Sequence, residues 1–420
     1  MAYRAAIGAL LAALATCGYA QLRPLTLDEA LRRAEEVAPP VNVARAQLGA
    51  GEAELREANA FLWNNPVLNA DTARRRIPQP GLSDGRVTEW AVGLAQTFET
   101  GGQSAHRRAA ASASREAFAY SVPDARRRLR ADVTAKFFRV LSLQQRVELE
   151  REAQAIAEEA AALAAKRVAA GEDSRLDGNL ARIEGERARN QAAAARESLT
   201  QARADLAGIL QLPFASLPEV TGDLSPPALP IDQQDVLERI SQRPDLLALE
   251  RRVEAARRRV DFERAVRSPD LTMGITSGRE GLYDSRESFA TLSISVPLPL
   301  FKRNDAAIGR SVAELTQAEL EHRAALGGAR AELASLLDRF TTLEERVRRL
   351  RSEVLPALDE NLRLSRRARQ AGEIAVPQLL LITRQAVDAR RDLLEAQTEQ
   401  RLVASAIEAA TAQAQPKEKP

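Results

Sequence analysis

The chain has 420 residues, with 60 Lys and Arg against 58 Asp and Glu, and a formal net charge of +2. The two signs are interspersed, which excludes the one-sided basic footprint of a nucleic-acid binder. Charged residues at 28%, aromatics at only 4% and abundant Ala, Arg, Glu, Leu and Gln describe long helices.

Arg4, the apolar stretch from Ala5 to Ala15 and the small residues Gly18-Tyr19-Ala20 read as an export signal over 1–20. That stretch is too short for a permanent membrane helix, and no later segment reaches the roughly 18 uninterrupted apolar residues that spanning needs. Cys17 is the one cysteine, so a disulfide within the chain is impossible. Leu14-Ala15-Thr16-Cys17 is similar to a lipid-attachment box, but Thr before the cysteine is atypical there. Cleavage after Ala20, which discards Cys17, is the favoured reading of the two.

Residues 21–210 form a first structural repeat, 211–235 a Pro-rich linker and 236–410 a second repeat, with a loose tail over 411–420. In the first repeat Thr26 is the expected N-cap of a helix that opens LDEALRRAEE, breaks at Pro39-Pro40 and runs to about Phe61. Strands follow at about 67–74 and 88–98, and Trp90, Val92, Leu94 and Phe98 alternate onto one face of the second. A helical run from Gly101 to Ala170 comes next, about 70 residues or about 105 Å at ~1.5 Å per residue. Gly171 allows a tight reversal, and a return helix ends near Leu210.

After the prolines of the linker the same order returns. The counterpart helix over 235–267 is broken at Pro244 and ended by Ser268-Pro269. Strands follow at about 271–278, with Leu271, Met273 and Ile275 on one face, and at about 288–297, with Leu292, Ile294 and Val296 on one face. Within the second long run, Leu336, Phe340, Leu343, Val347, Leu350 and Val354 alternate spacings of four and three, the seam of a supercoiling helix. Pro123 and Pro356 sit inside the two runs and are expected to kink or divide them. The second reversal is at Gly372. AAGEDSRLD at Ala169 is echoed 201 positions later by QAGEIAVPQ at Gln370, so the chain is one unit stated twice.

An exported chain with alternating strands of this length has what a tilted membrane strand requires. Four strands cannot close alone, because in hydrocarbon every backbone donor and acceptor needs a partner. Two chains would give eight strands with a filled interior, whereas three give twelve and a water-filled lumen, so a homotrimer in outer-membrane lipid is expected. The alternating residues from Trp90 to Val296 named above would then face lipid. By pattern alone a soluble hairpin capping a helical bundle fits equally well.

QTFETGGQ from Gln96, RPDLLALERRVEAA from Arg243, SVPLPLFKRN from Ser295 and the AGE turns at Ala170 and Ala371 carry a family likeness. With them the chain resembles the TolC-type outer-membrane efflux proteins, and within these the CzcC- and CusC-like branch of heavy-metal exporters. The resemblance implies a mainly α fold with a small membrane β part: a trimeric, 12-stranded outer-membrane barrel continued by a long periplasmic helical barrel. It further implies that Gly171, Glu172, Asp173 and Asp177, with Gly372, Glu373 and Gln378, form the periplasmic aperture and meet an adaptor (membrane fusion) protein. Such apertures are often ringed by aspartates; Asp177 holds one such position, but Gln378 and Leu381 stand at the second-repeat counterparts. An inner-membrane RND-type transporter is the implied energy source.

Catalysis has little support. His106 and His322 are the only histidines, both on helical surfaces, and no HExxH, GxSxG or Walker phosphate loop is present. No cofactor and no metal site is expected, and soft-metal capture lacks thiols. Arg126 to Arg128 and Arg257 to Arg259 read as solvated helix faces paired with Glu, whereas Arg74 to Arg76 would lie beside anionic lipid at the outer end of a barrel. The leading function is therefore a passive exit duct of a tripartite efflux assembly, with heavy-metal cations as cargo. The alternatives are a drug or protein-secretion duct of the same fold, and a periplasmic coiled-coil scaffold that never enters a membrane.

Overall fold

The computed structural model describes residues 24–77, 85–213, 217–226, 239–281 and 286–411. The export signal with Cys17, the tail after Thr411 and parts of the linker lie outside the described residues. In chain order come α1 (Leu27–Val37), α2 (Pro39–Ala58), β1 (Val67–Ile77), β2 (Gly85–Phe98), α3 (Gln103–Ala169), α4 (Arg175–Ile209) and α5 (Pro244–Ala265). They are followed by β3 (Leu271–Glu280), β4 (Glu287–Ser295), α6 (Asp305–Arg349), a π-turn (Leu350–Val354), α7 (Leu355–Gln370) and α8 (Val376–Thr411). The described residues fall into two compact units, and each draws on both repeats.

The first unit takes its residues from 24–42, 125–240 and 329–411. Thr26 starts α1 with a reciprocal capping box: its Oγ1 accepts from Glu29 N at 3.4 Å, and Glu29 Oε2 accepts from Thr26 N at 3.0 Å. The core holds Leu31, Val133, Phe137, Val140, Leu206 and Leu210, with Phe137 and Phe138 edge to face at 5.5 Å. Within the described part of the linker, 217–226 holds no helix, yet 219–221 is bound: Leu25 and Val220 form a parallel bridge, and Gln144 exchanges two hydrogen bonds of 3.1 Å with the Val220 backbone. Val220 and Leu224 are buried in the same core.

A buried charge cluster ties α3, α4 and α8. The Glu150 carboxylate, 1% exposed, accepts from Arg391 Nε at 2.8 Å, from the Arg391 terminal nitrogen and from Arg146 Nε at 2.6 Å. Arg391 also reaches Asp388 and Gln191. Burial pushes the Arg391 guanidinium down, but the Glu150 and Asp388 carboxylates outweigh it and hold the group firmly charged.

The second unit takes 43–124 and 241–328. Its sheet is a pure antiparallel meander in the order β1-β2-β3-β4. All four helix connections leave from one end of the sheet and both hairpin loops from the other, as chain order and antiparallel pairing require. At the helix end Arg107 lies over Trp63, 3.7 Å from the ring centroid, and over Phe262 at 5.3 Å, while it ion-pairs with Glu99. Gln103 bridges to Asp270 at 3.0 Å, and Thr100 donates to Pro269 O at 2.6 Å. The duplication extends to backbone conformation: Gly102, with φ +75°, is matched 202 positions later by Asn304, with φ +60°, each just ahead of a long helix.

Pro123 does not end α3, which runs through it for 67 residues. One missing bond in so long a ladder is absorbed. Ahead of Pro356, by contrast, the helix widens into the π-turn, and Leu355 N donates to Leu350 O, five residues back.

The Glu150 cluster yields a stability prediction. Glu150→Ala leaves the buried Arg391 guanidinium with Asp388 as its one carboxylate and is expected to cost about 3 kcal/mol, read as a lower Tm of the purified chain. The double change Glu150→Met with Arg391→Met removes both charges and is expected to recover most of that loss. An Ala variant as stable as the parent would contradict this account.

Candidate functional site

Two places in the chain concentrate features with no role in core packing: one face of the sheet, and the pair of turns at the helical reversals.

In the sheet, antiparallel partners project to the same side, so the register sorts the faces without ambiguity. Trp90 is opposite Thr72 and Arg279; Leu94 is opposite Leu68 and Ile275; Ile275 is opposite Leu292, and Met273 opposite Ile294. Trp90, Val92, Leu94, Phe98, Leu271, Met273, Ile275, Leu292 and Ile294 therefore share one face, and Val296 follows just past the end of β4. That face is apolar and open, with Leu292 at 69% and Ile294 at 63% exposure. The opposite face carries small and polar residues, among them Ala91, Gly93, Gly274, Thr276, Gly278 and Ser293. A Cβ on Gly278 would come within 2.5 Å of the Trp90 carbonyl oxygen and 3.0 Å of Ala91 Cα, so only glycine fits there. β1 and β4 are the sheet's edges, and the chain flanking them at the helix end exposes Phe61, Leu298, Leu300 and Phe301.

The two reversals are built alike. Gly171 and Gly372 have φ of +76° and +77°, a region open to glycine but costly for other residues. Gly171 N donates to Val168 O and Glu172 N to Arg167 O; Gly372 N donates to Arg369 O and Glu373 N to Ala368 O. This paired pattern is a Schellman C-cap, present twice.

The side chains around the turns differ. Asp173 Oδ2 accepts from Arg167 Nε at 3.0 Å within its own repeat and from Arg369 at 2.7 Å across to the second, while Arg369 also donates to Ile374 O at 3.0 Å. The Asp173 side chain is 8% exposed. Burial pushes its carboxyl up, but Arg369 and Arg167 more than offset this and hold it below the usual carboxylate range. Its counterpart in the second turn is Ile374. Ser174 caps α4 by accepting from Asp177 N at 3.1 Å and donates to the Asp177 carboxylate at 2.8 Å, so Asp177 serves the helix start. Glu172, Glu373 and Gln378 are exposed.

Asp173 thus joins the two turns, through Arg369, a residue that sequence reasoning missed. The pair is 196 positions apart, and no local pattern marks it. Also missed were Leu176, Leu180 and Ile183, exposed at spacings of four and three on the first turns of α4. Their periodicity was visible, but a core face has the same one. Among the described residues no group of His, Cys, Asp and Glu could hold a metal ion, and no helix is long and apolar enough to cross a membrane.

Comparison with known proteins agrees with these features. The chain aligns at 29% identity over 216 residues with the pyoverdine export outer membrane protein OpmQ of Pseudomonas putida, covering 49% of this chain and 44% of that one. The chain thus spans less than half the length of this relative. Its fold matches CusC with a TM-score of 0.78 at 19% identity, covering 93% of both chains. It also matches the outer membrane protein VceC of Vibrio cholerae at 0.76 and 18%, covering 92% of this chain and 96% of that one. The architecture is the mainly helical one, with a small sheet, of these two structures. The model of the outer membrane efflux protein family matches residues 30–210 and 237–413, one match per repeat, and the chain belongs to that family.

Proposed function

We propose that the chain is the outer-membrane exit duct of a tripartite efflux system, passively conducting cargo received from an inner-membrane RND-type pump and a periplasmic adaptor. The observation that carries this reading is the sheet: one open apolar face, one face of small polar residues, and two edges that only further copies can pair. Strands of 9 to 14 residues suit a tilted crossing. Four strands from each of three chains make twelve, enough to enclose water. The apolar face, from Trp90 to Val296, then meets lipid.

In this reading Gly171, Glu172, Asp173, Asp177, Gly372, Glu373 and Gln378 surround the periplasmic aperture. The Asp173–Arg369 pair holds the two turns of a chain together, and Leu176, Leu180 and Ile183 offer the adaptor an apolar strip. Heavy-metal cations are the proposed cargo, on the likeness of QTFETGGQ and SVPLPLFKRN to the heavy-metal branch of the family. The pyoverdine export relative favours a second reading, a small organic chelator. Deleting the gene separates them: a metal duct leaves cells sensitive to metal cations, and a chelator duct leaves chelator trapped in the periplasm.

Two experiments test the duct. Leu292→Arg or Ile294→Arg is expected to cost about 2–4 kcal/mol at the bilayer midplane and to deplete heat-dissociable trimers from the outer-membrane fraction. Thr291→Arg, on the other face, is expected to be tolerated. Recovery of the parent protein as a detergent-free, water-soluble monomer would refute the proposal.

For the aperture, Asp173→Ala is expected to raise conductance in planar bilayers, since charge-assisted hydrogen bonds are worth about 1.5–3 kcal/mol each. Because the folded Asp173 carboxyl is held below its ordinary value of 3.8, its stabilising contribution is complete above that value and is lost as pH falls through the lower, folded one. Conductance is therefore expected to be insensitive to this group from neutral pH down to about 5, and to rise only in stronger acid. Parent-like conductance in the Ala variant would remove Asp173 from the gate.

A further inference from the structure

At the hairpin end of the sheet, charge is sorted by face. Arg74 is opposite Thr88 and Arg76 opposite Arg86, while Arg279 is opposite Trp90 and Ser288. These four arginines therefore share the face of Trp90, Ile275 and Leu292, and all four are exposed. Every acidic residue of the four strands lies on the other face: Asp71 opposite Ala91, Glu89 opposite Ala73, and Glu280 opposite Glu287. Arg75, between Arg74 and Arg76, also points to that other face, where it pairs with Glu89 at 3.2 Å. Among the described residues Arg74, Arg86 and Arg279 have no carboxylate partner.

An arginine on a lipid-facing strand is costly near the bilayer midplane and cheap at the interface, so this row marks the headgroup level. Trp90, beside Arg279, has the amphipathic ring of an interfacial belt. Planar guanidinium groups match phosphate oxygens bidentately and remain charged at any physiological pH. No acidic residue of the four strands lies on the face of this row. From this segregation we infer that Arg74, Arg76, Arg86 and Arg279 form a binding strip for anionic, phosphate-bearing lipid headgroups of the leaflet at the hairpin end of the sheet. The inference rests on the membrane reading proposed above and adds a ligand class to it.

The test uses the full chain, purified in a non-ionic detergent, with three probes: bis-phosphorylated lipid A, zwitterionic phosphatidylethanolamine and inorganic phosphate. Retention on the oligomer is read by native mass spectrometry. The parent is expected to retain lipid A over the zwitterionic lipid, and equimolar phosphate is expected not to displace it. R74Q/R76Q/R86Q/R279Q is expected to weaken lipid A retention by about tenfold or more, against about twofold or less for R75Q on the opposite face. The pair R86Q/R279Q, expected to give an intermediate loss, serves if the quadruple variant does not assemble.

Parent-like lipid A retention in these variants, an equal loss in R75Q, or equal retention of the zwitterionic lipid would overturn the inference. Displacement by phosphate would make the strip a simple anion site and overturn it too. Fractionation keeps the two readings apart: a parent protein absent from the outer membrane refutes the duct, whereas a correctly inserted protein with unselective lipid retention refutes only the strip.

Discussion

A four-stranded antiparallel meander leaves a row of backbone N–H and C=O groups unpaired along each outer strand, and that constraint governs the rest of the molecule. In water such edges are a nuisance. Beside an apolar face they demand closure, because nothing in hydrocarbon replaces the missing partner. The alternation of Trp90, Val92 and Leu94 with Ala91, Gly93 and Ala95 fixes which side meets which solvent, and a slip of one residue would exchange the two. Glycines at 93, 274 and 278 keep the polar side thin enough for the strands to approach.

The helical unit answers a different problem. Long Ala-rich helices have little apolar surface to specify how they align, and part of the alignment falls to charge. Glu150 and Arg391 join helices from opposite repeats inside the packing, where a mismatch would strand an ion. Asp173 and Arg369 do the same at the turns, nearer to solvent and with fewer supporting contacts. A tie that is partly exposed is easier to release than one that is sealed, which suits the Glu150 pair to holding and, in the proposed duct, the Asp173 pair to opening.

Much of this was legible in the sequence because the signals were local. The echo of Gly171 in Gly372 announced the duplication, and the period of two through Trp90 and Leu292 gave the strands and their apolar side. β1 was the hardest strand to see, since Asn69, Asp71 and three arginines dilute its alternation; its pairing with β2 from Ala95 down to Gly85 carries it to Ile77. The ties were illegible for a physical reason: Glu150 and Arg391 are 241 positions apart, and one Glu among 58 acidic residues carries no mark of burial. The grip of Gln144 on the linker at Val220 was hidden in the same way.

Asp173 has no acidic counterpart in the second turn, where Ile374 stands. Backbone duplication makes Gly171 and Gly372 interchangeable in conformation, so a closed ring of three chains would approach sixfold rotational symmetry there. Asp173 in one turn and Ile374 at the equivalent place in the other break that equivalence and leave threefold symmetry, with an Arg-paired aspartate and an aliphatic side chain alternating around the circumference. Any partner that meets the ring through repeated identical arms encounters two chemically different seats in turn.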